Sequence, residues 1–142
     1  MKPAPVCSRR FLPCLFILLA AFSVVRAGAA FVPGETLISP QVVAGSEFVT
    51  TLVLSNSIFG SACEVRVSYE QGGGAVPSAT ILTNGEDLGN SFNMMLPGVT
   101  EAQSSGATFT TLEITAADGV FIGAVIVEVR RRCESLVGVQ TT

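Results

Sequence analysis

Cys63-Glu64-Val65-Arg66-Val67-Ser68-Tyr69-Glu70 carries an apolar or aromatic residue at every odd position and a polar one at every even position. Successive side chains of a strand point to opposite faces, so this run reads as a β-strand with one face on a core and one in water. Gln71-Gly72-Gly73-Gly74 follows as a turn in which glycine lets the chain reverse. Upstream, Glu47 to Ser55 mixes Phe, Val, Thr and Leu on both faces, as a central strand would. Asn56-Ser57 and Phe59-Gly60 end that run.

The same period continues downstream. Val76 to Leu82 reads as a weaker strand, pushed to a sheet edge by Pro77. Asn84 to Asn90 is a polar loop. Ser91 to Leu96 alternates again, with Phe92, Met94 and Leu96 on one face, and Pro97-Gly98 stops it. Ala107 to Thr115 is threonine-rich, a composition common in exposed strands. Asp118-Gly119 makes the next turn before Val120 to Arg130, the most apolar strand, which is expected mid-sheet because an exposed edge of this kind aggregates. Thr36 to Val43 forms a first strand bent at Pro40. Seven short strands with regular turns and no helical periodicity predict an all-β fold, a single antiparallel β-sandwich.

The N-terminal residues have a different character. Lys2, Arg9 and Arg10 precede an apolar run from Phe11 to Val25, and Ala27-Gly28-Ala29 supplies the small residues that signal peptidase cuts. Residues 1–29 therefore read as a cleaved signal peptide, the alternative being a retained N-terminal anchor, and 30–142 as the sandwich domain. The apolar run is shorter than the ~20 residues of a membrane-spanning helix, and no later stretch is longer. Export would remove Cys7 and Cys14 and leave Cys63 and Cys133. In an oxidising compartment that pair reads as a disulfide, the alternative being two free thiols.

Charge divides at the same place. Residues 30–142 keep four arginines against all eleven carboxylates, a formal charge of −7. An acidic domain without lysine repels phosphate backbones, so no nucleic-acid partner is expected. Arg130-Arg131-Arg132 is its one basic cluster. It reads either as a contact for an acidic partner or as a strand end lying across from strand glutamates.

Ser39-Pro40-Gln41-Val42-Val43-Ala44-Gly45-Ser46-Glu47-Phe48-Val49-Thr50-Thr51-Leu52-Val53-Leu54-Ser55-Asn56 resembles the opening of an uncharacterised immunoglobulin-like β-sandwich domain common in exported bacterial proteins. Leu96-Pro97-Gly98 is similar to that family's mid-domain step, and Asp118 to Ala124 to its late glycine-containing strand. The likeness spans Leu37 to Val139. It implies the fold and export, with the domain often in tandem or joined to other secreted modules. The family has no assigned catalytic residues or shared ligand, and the Cys63/Cys133 pair is not one of its general features.

Catalytic chemistry is thinly supplied. With no histidine, the chain lacks the usual base for a serine or cysteine nucleophile and the commonest metal ligand. No phosphate-binding or dinucleotide glycine motif is present, and no cofactor is expected. Glu86, Asp87, Glu101 and Asp118 could pair as glycosidase carboxylates, but they fall in loops that read as solvated turns. Asn84, Glu86, Asp87 and Asn90, with Gly85 and Gly89, offer oxygen ligands for calcium at a spacing unlike an EF-hand. There is no tryptophan, and the single tyrosine, Tyr69, falls on the inward face, so sugar stacking has no platform. The expectation is a secreted, non-enzymatic component of the cell envelope or extracellular space acting by contact. The alternatives are a fibre subunit that self-associates by strand addition, through its apolar last strand or an unpaired first segment, and a carbohydrate- or calcium-binding module.

Overall fold

The computed structural model describes residues 30–45, 47–74, 76–101, 106–133 and 137–142. The proposed signal segment, with Cys7 and Cys14, lies outside the described residues. Phe31–Thr142 forms one unit of eight strands. These are β1 (Pro33–Ala44), β2 (Thr50–Asn56), β3 (Cys63–Gln71), β4 (Ile81–Thr83), β5 (Ser91–Leu96), β6 (Thr108–Ala116), β7 (Phe121–Arg130) and β8 (Val137–Thr141). A 3-10 turn, Arg131–Cys133, joins the last two.

Two four-stranded antiparallel sheets face each other, in the orders β1-β7-β3-β5 and β4-β6-β2-β8. Odd strands make one sheet and even strands the other. No strand pairs with its neighbour in sequence, and every connection is an arch from sheet to sheet.

The period-two pattern sets the core. Val65, Val67 and Tyr69 of β3 are buried with Val125, Val127 and Val129 of β7, against Leu52 and Leu54 of β2 and Leu112 and Ile114 of β6. Strand β7 lies mid-sheet between β1 and β3, where its apolar character is covered on both edges. The segment Thr36 to Val43, read as unpaired, is hydrogen-bonded along β7. Its expected bend is a register shift between Ser39 and Val42, across Pro40.

Three expectations change. There are eight strands rather than seven, since β8 adds an edge beside β2. The weak strand shrinks to Ile81–Thr83, with Val76 and Pro77 outside it. Threonine-rich β6 is central, bonded to β2 and β4, because its alternate Leu112 and Ile114 face inward while Phe109, Thr111 and Glu113 meet water.

A polar knot closes one end of the sandwich. Asn56 is 1% exposed, and its Nδ2 donates to the carbonyls of Ser61, Leu96 and Pro97, while its Oδ1 accepts from the amide of Ile58. Thr108 Oγ1 donates to the carbonyls of Asn56 and Pro97. These bonds satisfy backbone groups that the β2–β3 and β5–β6 arches would otherwise leave dry. Gly98 is required there, since a Cβ would press into the Ser61 backbone.

Gly123 plays the same part inside β7. It faces inward on a central strand, where a Cβ would meet the carbonyl of Glu70, the Cα of Gln71 at 2.8 Å and Cζ of the fully buried Phe121 at 2.7 Å. Replacing Gly123 with Ala is expected to destabilise the fold by about 1–3 kcal/mol through overpacking. Gly72→Ala, where nothing lies within 4 Å, should stay within about 0.5 kcal/mol of wild type in the same urea titration.

Candidate functional site: a contact surface on a bridged sandwich

Cys63 opens β3 and Cys133 closes the 3-10 turn after β7; their sulfurs are bonded, with Cα atoms 6.2 Å apart across 70 residues of sequence. Both are buried. The bridge ties the exit of one sheet to its central strand just before the chain crosses to β8.

The three arginines separate. Arg130 ends β7 half-buried and donates through Nη2 to Glu64 Oε2. One register step away Arg66 Nη1 lies 3.3 Å from Glu128 Oε2, and Asn93 accepts from Arg66 Nε and donates to Glu64. The Phe31 ring covers both cations, 4.5 Å from the Arg66 guanidinium carbon and 5.7 Å from that of Arg130. Arg130 therefore belongs to a cross-strand ladder on the outer face of the first sheet, the glutamate-opposed arrangement the sequence allowed. Arg131 and Arg132 stand exposed on the turn.

Two of the four loop carboxylates, Asp87 and Asp118, hold turns. Asp87 Oδ1 accepts from the amide of Gly89 at 2.9 Å, and Asp118 Oδ1 from that of Thr80 at 2.6 Å. Asn84 takes a left-handed φ of 52° and caps the β6 backbone through the amide of Glu113. Glu86 joins Thr83 by a backbone bridge, and Asn90 accepts from the amide of Tyr69 through its carbonyl. Glu101 lies exposed in a separate turn. Among the described residues no three His, Cys, Asp or Glu side chains gather as a metal site. A cleft of about 280 Å³ opens beside this loop, lined by Pro77, Ser78, Thr80, Asp87 and Asn90.

Apolar side chains crowd the opposite end from the Asn56 knot. Gly45 and Phe48 exchange backbone hydrogen bonds around the β1–β2 arch, at 3.0 and 3.2 Å. Val120 packs on Gly45, where a Cβ would lie 3.1 Å from its Cγ2, and Ile122 pairs with Val43. Phe48 and Val49 are each 55% exposed, Val120 48% and Ile122 60%. Sequence reading placed these residues within buried strands. The missed signal is the glycine before Phe48, which starts the arch early.

No family model, curated protein or solved structure matches the chain. No helix among the described residues is long and apolar enough to cross a membrane.

The bridge and Tyr69 give two measurable consequences. Reducing the disulfide, or replacing both cysteines with Ala, should lower the unfolding free energy by about 4 kcal/mol for a loop of this length, read by denaturant titration with and without reductant. The Tyr69 hydroxyl is hydrogen-bonded to Thr83 Oγ1 between the sheets, and burial raises its pKa above the ordinary 10.0 while that bond lowers it less. The unfolded chain then ionises first, so this contribution is whole below pH 10 and lost as pH rises through the folded value. Lys2 is the sole lysine and Tyr69 the sole tyrosine. Tyr69→Phe is therefore expected to remove most of the alkaline fall in stability above pH 10.

Proposed function

We propose that the protein is a secreted, non-enzymatic β-sandwich that acts by contact, as an accessory or structural component of the cell envelope or extracellular space. The carrying observation is the exposed apolar group Phe48, Val49, Val120 and Ile122 around Gly45. Exposed apolar side chains near one arch support an interaction site there. The Cys63–Cys133 bridge supports an oxidising compartment, in keeping with the signal-like residues 1–29. The histidine-free sequence and the engagement of the Asp87 and Asp118 carboxylates in turns support a role without catalysis.

The immunoglobulin-like part of the reading draws support from the two facing antiparallel sheets. In an immunoglobulin domain the first two strands lie side by side. Here β1 and β2 are in different sheets, so the kinship proposed is one of architecture rather than strand order.

Phe48→Asp combined with Val120→Asp should keep stability within about 0.5 kcal/mol per site, as exposed substitutions do. The same variant is expected to lose at least about tenfold in retention by the envelope fraction of the source cells, measured by co-sedimentation. Unchanged retention would remove the apolar end as the contact surface. A purified protein that turns over a substrate, with activity lost on replacing Glu86 or Asp118, would overturn the reading as a whole.

A further inference from the structure

The two sheets present four edges, and three are guarded. Strand β1 is broken by its register shift at Pro40, which has no N–H, and Thr50 Oγ1 takes both the amide and the carbonyl of Val43. Strand β4 has three residues. Strand β8 is five residues long and approaches β1, the edge strand of the other sheet, without pairing with it. Natural sheets blunt their edges by such means, or with charge, because a bare edge pairs with another strand.

Strand β5 has none of these guards. Ser91-Phe92-Asn93-Met94-Met95-Leu96 pairs with β3 without a register shift and contains no charge, proline or glycine. Among the described residues, no backbone hydrogen bond from Ser91 to Met95 leads anywhere but β3. Phe92 and Met94 face inward yet stay half-buried, and Met95 is 53% exposed.

We propose that this edge takes β5 of a second copy of the chain, antiparallel about a twofold axis at Asn93, fusing two four-stranded sheets into one of eight. The sequence is self-complementary in that register. Residues opposite one another share a face, so Phe92 meets the copy's Met94 on the inward side in both halves, a ring–thioether contact. Ser91 meets the copy's Met95 on the outward side. The nearest charges are already matched, Glu64 with Arg130 and Arg66 with Glu128, so the seam itself carries no like-charge clash. The formal −7 of residues 30–142 opposes approach at longer range, and salt therefore tightens the dimer by screening. A seam of five residues buries less than the ~1,200 Å² of a stable interface, which makes this a concentration-dependent equilibrium.

Sedimentation of the protein expressed from its full sequence should show monomer and dimer exchanging with concentration. Met95→Lys should weaken the dimer at least about tenfold with an unchanged melting temperature. As a second measurement, Asn93→Cys should give a covalent dimer on mild oxidation, whereas Ile38→Cys, exposed on β1 at the opposite edge, should not. Monomer at every concentration, a dimer indifferent to Met95→Lys, or equal cross-linking at Ile38 would overturn the proposal. So would a monomer found with another protein's extended segment on β5. None of these outcomes touches the contact reading, which rests on Phe48 and its neighbours at the arch end.

Discussion

Every connection in this chain crosses from one sheet to the other, and the rest of the structure follows from that constraint. Among the described residues, strands adjacent in sequence never pair in a ladder, so neither sheet is built from local hairpins. Leu37 pairs with Val127, and Thr51 with Glu113, each over a long loop whose closure entropy precedes any reward. What makes the sandwich cohere is the shared inner layer. Tyr69, Phe121 and the valines of β3 and β7 bury against β2 and β6, with the Tyr69 and Phe121 rings edge to face at 6.3 Å. The arches must then turn sharply without leaving polar backbone dry. Asn56 and Thr108 do this at one end, and Thr50 with Gly45 at the other. The Cys63–Cys133 bridge secures the last crossing, where β8 has little apolar surface of its own to hold it.

Alternation reports which way a side chain faces, not which strand lies beside it, and this divides what was legible from what was not. The faces of β3 and β5 could be read directly, and so could the burial of β7, because each keeps its period over six residues or more. The bend at Pro40 was legible because proline lacks a ladder donor. Strand β8 was hidden: Val137-Gly138-Val139-Gln140-Thr141 is short, and its glycine sits where a Cβ would meet Ser55 Oγ. The threonines of β6 suggested exposure, yet two aliphatic residues in alternate positions suffice to make it central. Strand propensity describes fit to a half-buried surface and does not choose between edge and middle.

The candidate site divides in the same way. Residues 30–142 contain one cysteine pair, for which the sequence allowed a bridge or two free thiols, and the bond between their sulfurs decides for the bridge. The arginine triplet could not be resolved from sequence, because cross-strand partners depend on register. Register sets Arg66 opposite Glu128 and brings Glu64 within reach of Arg130, leaving Arg131 and Arg132 in water on the turn. Surface ion pairs contribute only about 0–1 kcal/mol each, and these half-buried ones stand near the upper end of that range. Their larger effect is local: they neutralise one sheet face of an acidic domain and fasten Phe31 to it.

The allocation of polar groups bears on function. Catalysis needs side chains whose hydrogen-bonding capacity is held in reserve for a substrate, with ionisation shifted by burial or by a neighbour. Here two of the loop carboxylates and the loop amide of Asn84 are engaged in the turns themselves. Asp87, Asp118, Asn84 and Asn56 each hold a main-chain amide. What the arches leave over is apolar: Phe48, Val49 and Val120 project where the backbone of Gly45 and Phe48 already satisfies itself. The polar side chains at the ends of the fold close its arches, and the apolar side chains left exposed beside Gly45 are the ones the proposed contact would use.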